Sequence, residues 1–325
     1  FCITTAAATL SGGTITAGGA FTLNGATSIS GQVDIQRATV NTGTVTLSGG
    51  GRLNLSNGAV FTNQAGALFA LGASSTDALP LAGTAGVGTF NNAGTFTKAT
   101  STTQTVNGSI TFNNSGQVTL ATGSGLLTMN AAGSDTGDYT VNTGATLDIA
   151  ANRNWSATTD VNGAGTLRFI GGTTSVNGTY SIAGTGSTVV GGGTANFNIG
   201  AAVVFANPLT VTSGGIGGSG NITANGLSWS GGLIAGTGTL TLNGATTISG
   251  QVDAQRAITN SGTVDMTGGG RLNLSNGAVF TNQAGASFNL AAGSTDTLPL
   301  ASTAGAGTFN NAGTFTKATS TPQAV

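Results

Sequence analysis

Gly88-Thr89-Phe90-Asn91-Asn92-Ala93-Gly94-Thr95-Phe96-Thr97-Lys98-Ala99-Thr100-Ser101-Thr102 recurs without a change at 307–321. Around it, residues 12–106 align with 231–325 at a constant offset of 219, with no insertion or deletion and 72 of 95 positions identical. The block GGGRLNLSNGAVFTNQAGA stands in the same way at 49–67 and 268–286. Self-similarity of this kind marks a repeat architecture. The chain holds about one and a half long units, a first at 1–219 and a partial second at 220–325, and reads as cut from a longer array.

A shorter, degenerate period runs inside each unit. An asparagine, a small residue and a glycine are followed by alternating apolar positions, and the theme returns at Asn41, Asn63, Asn92, Asn114, Asn142 and Asn162. The steps are 22, 29, 22, 28 and 20 residues, so a small coil takes insertions at one corner. In the second copy the markers are Asn260, Asn282 and Asn311. Thr239-Leu240-Thr241-Leu242, Leu53-Asn54-Leu55 and Ile110-Thr111-Phe112 alternate with period two, which is strand spacing. Asn-Gly pairs at 24–25, 57–58, 107–108 and 276–277, among others, are turn signals.

A unit of about 22 residues cannot bury its own apolar face, but it can do so against the next copy. The expectation is an all-β, parallel β-helix (β-solenoid) of about 14–15 coils, one continuous solenoid over 1–325 with no helical domain. Each coil advances by roughly 4.8 Å, so one long unit advances about 48 Å. Phe61, Phe90, Phe112, Phe280 and Phe309 are expected to stack inside, and the marker asparagines to form a corner ladder.

Composition excludes much chemistry. Histidine is absent, and all nine acidic residues are aspartates. There is therefore no imidazole base and no histidine-bearing metal site. Charged residues make up 5%, and the net charge is −1. No basic patch is available for nucleic acid or an anionic membrane, and no apolar run is long enough to span a bilayer. Mean hydropathy of +0.21 argues against a charge-rich disordered chain. The lone Cys2 makes no intrachain disulfide, and its part, if any, is an interchain bond. Beginning at Phe1 without Met, the chain reads as a processed product or an excerpt with room for a targeting signal upstream.

Low-charge Gly/Thr/Asn arrays carrying GTFNNAGTF, GTLTLNGATTISG and GGGRLNLSNGAVF resemble the repeat regions of large bacterial surface exoproteins, the filamentous-haemagglutinin-like adhesins and autotransporter passengers. The resemblance covers essentially the whole chain. It implies a right-handed parallel β-helix displayed outside the cell, serving adhesion, biofilm or sheath structure, and it transfers no functional residue.

Several polar groups are candidates for a site. Asp34 and Arg37, repeated as Asp253 and Arg256, read as a ligand or subunit contact or as a surface ion pair, the commoner case. Arg52 and Arg271 follow three glycines, without the strand-to-helix context of a phosphate loop. Asp135 and Asp138 read as a weak calcium site or an ordinary polar turn. Asp148, Arg153, Asp160 and Arg168 form the densest charged stretch, but their spacing argues against a catalytic carboxylate pair. Asp77 and Asp296 sit in matched corner loops at 75–81 and 294–300, which read as contacts for glycans or another cell or as plain solvated loops, the commoner case. The reading is a non-catalytic structural segment of an extracellular or cell-surface fibre, without cofactor or metal. Its partner is itself, end to end, laterally or through further repeats of the chain. The alternatives are an adhesin stalk or passenger that binds glycans or cells through corner loops, and a curli-like functional amyloid.

Overall fold

The computed structural model describes residues 3–16 and 18–325. Cys2 lies outside the described residues. Those residues form 39 short strands and no helix, and the strands pair in parallel as a β-solenoid of about 14 turns. The chain divides into two compact units, Phe1–Leu167 and Arg168–Val325, a division that does not coincide with the long sequence repeat at 219.

In the first unit each coil from Thr39 onward contributes three strands to three stacked faces, whereas in the coil before it Phe21–Ile29 runs across two faces, pairing with both Thr39–Asn41 and Thr44–Gly49. One coil uses Val60–Asn63, Leu68–Ser75 and Leu81–Ala82, the next Gly88–Asn92, Thr95–Lys98 and Gln104–Val106, and the next Ile110–Asn114, Gln117–Leu120 and Leu126–Met129. Register is kept residue by residue: Phe61 pairs with Phe90 and Phe90 with Phe112, while Leu71 pairs with Lys98 and Lys98 with Leu120. Alternation explains the pattern, because every second side chain of a strand enters the interior. The irregular coil length has a place too. Of the seven extra residues between Asn63 and Asn92, two lengthen the corner at Gln64–Ala67 and the others lie in the lengthened strand Leu68–Ser75 and the loops after it, and the first two faces still keep their register.

The core is built on two aromatic columns. Phe61, Phe90 and Phe112 stack with ring centroids 5.1 and 5.2 Å apart, nearly coplanar in orientation. Phe69 and Phe96 form a second column at 5.7 Å, and rings of the two columns meet edge to face. Each aromatic contact of this kind contributes about 0.5–1.5 kcal/mol beyond the burial of its area.

At the corner between the first and second faces a polar line runs through this apolar interior. Asn41 Nδ2 donates to Asn63 Oδ1 (2.8 Å), Asn63 Nδ2 to Asn92 Oδ1 (2.7 Å), and Asn92 Nδ2 to Asn114 Oδ1 (2.8 Å). The second proton of each Nδ2 goes across the corner, to the carbonyls of Leu68, Thr95 and Gln117. All four asparagines are buried. The glycine two residues on is set by the same corner: a Cβ on Gly116 would stand 2.1 Å from the Gly94 carbonyl oxygen of the coil beneath.

The second unit repeats this construction. Asn260 donates to Asn282 (2.8 Å) and Asn282 to Asn311 (2.7 Å). Phe280 stacks on Phe309 at 5.2 Å, and Phe288 on Phe315 at 5.6 Å. Before these coils, Tyr180, Phe197 and Phe205 form an edge-to-face cluster, and Trp229 is buried.

Asn142 and Asn162 stand outside the ladder. The residue in register with Asn114 is Asp135, only 21 positions on. Asn142 follows the second-face strand Asp138–Val141 and donates to the Leu120 carbonyl, while Asn162 pairs with Thr140 on that face and is exposed. The aspartate takes the asparagine's place, so the motif resumes on the wrong face and the sequence phase slips.

Asn63→Ala strands the buried Asn41 amide and Asn92 oxygen, and the expected loss is about 2–3 kcal/mol. Asn142→Ala, which removes one half-buried hydrogen bond, is expected to lose less than about 1 kcal/mol. Urea denaturation with amide exchange at Gly88–Asn92 compares the two, and equal losses would contradict the ladder's role.

Candidate functional site

The ladder in the first unit ends on a buried ionic cluster. Asp135 Oδ1 accepts from the Asn114 backbone N–H (3.1 Å) and from the Tyr139 hydroxyl (3.0 Å). Arg153 donates through Nε to Asp135 Oδ2 (2.8 Å) and through Nη2 to Asp135 Oδ1, with both side chains fully buried. Its remaining donors reach the Ala131 carbonyl (2.9 Å), the Phe112 carbonyl (3.0 Å) and the Tyr139 hydroxyl (3.2 Å). The side chain rises from the position in register with Gly133, where a Cβ would stand 1.8 Å from the Phe112 carbonyl oxygen. The guanidinium carbon lies 5.8 Å above the Phe112 ring, where a further stacked phenylalanine would otherwise sit.

Burial pushes the Tyr139 hydroxyl well above its ordinary pKa, so the phenol stays protonated as a donor. Burial works against the Arg153 charge, but the Tyr139 and Asp135 oxygens outweigh it and the pKa is raised. Every polar atom of the cluster is thus engaged within the core. It closes the ladder and offers no open coordination position, which separates it from the calcium or polar-turn readings of Asp135. Asp138 faces outward, and its Oδ1 accepts the Asp160 backbone N–H (2.9 Å). Asp148 is buried on Thr146–Ile149, Asp160 is exposed, and Arg168 belongs to the second unit.

The corner loops carry a pairing that residue spacing did not reveal. Arg52 holds Asp77 Oδ1 at 2.8 Å through Nη2 and 3.2 Å through Nε, and the same oxygen accepts the Leu79 N–H at 2.7 Å. Arg271 and Asp296 repeat this at 2.9 and 3.2 Å, with the Leu298 N–H at 2.7 Å. The partners are 25 residues apart, and only the coil register brings them together. Such half-exposed pairs contribute about 0–1 kcal/mol.

Arg256 and its aspartate do not meet as an ion pair. Arg256 is buried and donates to the carbonyls of Gly238 (2.8 Å), Gly220 (2.8 Å) and Ala235 (3.2 Å), while Asp253 binds the Gln255 amide (2.8 Å). Desolvation lowers the Arg256 pKa to about 10. Arg37 likewise donates to the carbonyls of Gly18 (2.7 Å) and Gly19 (2.8 Å), and Asp34 binds Gln36 (2.7 Å). In both copies alternation turns the aspartate outward and places the arginine, three residues on, at the corner.

Lys98 is buried and donates to the carbonyls of Thr100 (2.6 Å) and Thr102 (2.8 Å). Desolvation lowers its pKa to about 8 from 10.5. On the outer surface an open polar groove runs over the glycine corner, lined by Thr95, Ser115, Gln117, Thr136, Asp138 and Thr158. No group of three or more His, Cys, Asp or Glu side chains converges on a metal position among the described residues. Among the described residues no helix is long and apolar enough to cross a membrane. No known family model, curated protein or solved structure matches the chain.

Arg153→Met leaves Asp135 buried without its counter-ion, for an expected loss of about 3–5 kcal/mol. Adding Asp135→Asn should restore a large part of that loss in denaturant titrations, and a double variant no better than the single would contradict the pairing. For Lys98, the unfolded chain holds the extra proton between about pH 8 and 10.5, where the folded chain does not. Stability is therefore expected to rise with pH across that window. In Lys98→Met the rise should flatten, and an unchanged pH profile of Tm would contradict the assignment.

Proposed function

We propose that the chain is a non-catalytic structural segment of an extracellular or cell-surface fibre built from stacked β-solenoid coils. The observation that carries this reading is that both copies use their polar and aromatic side chains in the same way. The ladder Asn41–Asn63–Asn92 returns as Asn260–Asn282–Asn311, the stack Phe61–Phe90 as Phe280–Phe309, and the corner pair Arg52–Asp77 as Arg271–Asp296. A unit copied with its internal bonding intact suits a building block whose product is length and stiffness. Parallel pairing through the whole coil supplies stiffness without disulfide or metal. The partner in this reading is the chain's own kind, through further repeats or neighbouring copies.

A second reading, an adhesin stalk, is favoured by the polar groove at Thr95, Gln117 and Asp138. Hydroxyl, amide and carboxylate groups there line an open channel suited to sugar hydroxyls. The Asp77 and Asp296 loops support that reading less well, since each carboxylate is already engaged by an arginine and a backbone N–H.

Electron microscopy of purified protein separates the two. Filaments with an axial spacing of about 4.8 Å and a longer one near 48 Å are expected for the fibre. Discrete short rods would count against it, and glycan binding lost in Gln117→Ala or Asp138→Ala would favour the adhesin.

A further inference from the structure

We propose that Asn57-Gly58 is a site of spontaneous deamidation and backbone isomerisation, the one of the chain's eight Asn-Gly pairs that the fold leaves open to it. An asparagine amide is most labile before glycine, where no Cβ shields the next backbone nitrogen. That nitrogen attacks the asparagine Cγ and gives up its proton to solvent. The side-chain nitrogen takes up a proton and leaves as ammonia, so that a cyclic imide closes. Water then breaks either imide C–N bond, giving aspartate or its backbone isomer isoaspartate. The reaction needs an unengaged side-chain amide, a glycine N–H without an acceptor, and room beside the glycine.

Six pairs fail one of these demands. Those at 24–25, 162–163, 225–226 and 243–244 lie within strands. A Cβ on Gly25, Gly163 or Gly244 would stand 1.4, 2.0 or 1.9 Å from a carbonyl oxygen of the preceding coil. Asn107 Oδ1 accepts the Ser109 N–H (2.9 Å), and Asn177 Oδ1 accepts from Asn198 Nδ2 (3.1 Å).

Asn57 and Asn276 remain. Both are exposed in left-handed turns, with φ of 54° and 53°. The turns are closed by Ala59 N–H on the Ser56 carbonyl and Ala278 N–H on the Ser275 carbonyl, each at 3.0 Å. Among the described residues neither side-chain amide has a hydrogen-bond partner, and nothing stands within 4 Å of a Cβ built on Gly58 or Gly277. The two differ at the glycine nitrogen. Gly277 N–H donates to the Ala306 carbonyl (2.9 Å), whereas Gly58 N–H has no acceptor among the described residues. The loops opposite the turns differ in sequence. In the second copy the Ser302 hydroxyl donates to the Gly305 carbonyl, just before Ala306, and the first copy has Gly83 and Val87 at these places. An ordinary hydrogen bond slows a step that must break it about fivefold.

Aspartate at position 57 keeps the left-handed turn and adds a negative charge. Isoaspartate lengthens the backbone between Arg52–Leu55 and Val60–Asn63, beside the ladder asparagine Asn63. The pair thus records the age of the molecule, and it does so whether or not the chain belongs to a fibre.

The test incubates the folded full chain in mildly alkaline buffer enriched in heavy-oxygen water, followed by tryptic digestion and mass spectrometry. Cleavage after Arg52, Lys98, Arg271 and Lys317 places the two turns in peptides 53–98 and 272–317, which differ in mass. Asn57 should take up label about fivefold faster than Asn276, and faster than the other six pairs. In denaturant the two should convert at one rate, because residues 49–67 and 268–286 are identical. Ser302→Gly combined with Ala306→Val should raise the Asn276 rate to that of Asn57. Equal rates in the folded chain, a faster site at another pair, or a difference that persists in denaturant would overturn the proposal. So would an Asn276 rate that the loop variant leaves unmoved.

Discussion

Over residues 41–114 and 260–311 the stack is organised by a hydrogen bond between asparagine side chains on successive coils. Each buried Nδ2 has two protons and uses them in two directions, one along the stack to the next Oδ1 and one across the corner to a carbonyl of the adjoining face. A buried amide left unpaired costs about 1–3 kcal/mol, so a coil that slips by one residue loses at every rung at once. That penalty fixes register, and register decides everything packed inside. Phe61, Phe90 and Phe112 stand over one another because Asn63, Asn92 and Asn114, two residues later, do so.

The same constraint sorts where the chain can vary. At the ladder corner, successive coils approach so closely that Gly94, Gly116 and Gly137 each have a carbonyl oxygen where a side chain would begin. Away from that corner, after Leu71, the coil lengthens by several residues and carries the Asp77 loop without disturbing the paired faces. The ladder corner accepts only a two-residue lengthening, at Gln64–Ala67, and the larger insertion falls after Leu71. The arginine that holds the loop, Arg52, lies 25 residues before its partner and one coil away.

Where the first unit's ladder stops, its polar line needs a terminator. Asp135 occupies the next rung and brings a charge, which Arg153 and Tyr139 enclose. Gly133 leaves a gap in the aromatic column, and the Arg153 guanidinium fills it while facing the Phe112 ring. Buried ion pairs of this kind give little net stability over a well-packed apolar core, but they penalise any packing that separates the two charges. The cluster thus marks one coil as different from its neighbours in an otherwise repetitive stack.

Repeat length, strand alternation and the recurring theme of an asparagine, a small residue and a glycine were enough to read an all-β stack of coils, because each is a local pattern with a direct geometric meaning. Asn41, Asn63, Asn92 and Asn114 could be marked as one series for that reason. The phase beyond Asn114 could not, since an aspartate replaced the expected asparagine and the next Asn-x-Gly belonged to another face. The second aromatic column of Phe69 and Phe96 was also hidden, because its strands carry no asparagine marker. The pairings Arg52–Asp77 and Asp135–Arg153, and the turning of Arg256 away from Asp253, were decided only by tertiary structure. A sequence specifies which side of a strand a residue faces. Which residue of another coil it meets depends on how many residues each intervening corner consumes, and only the folded stack determines that.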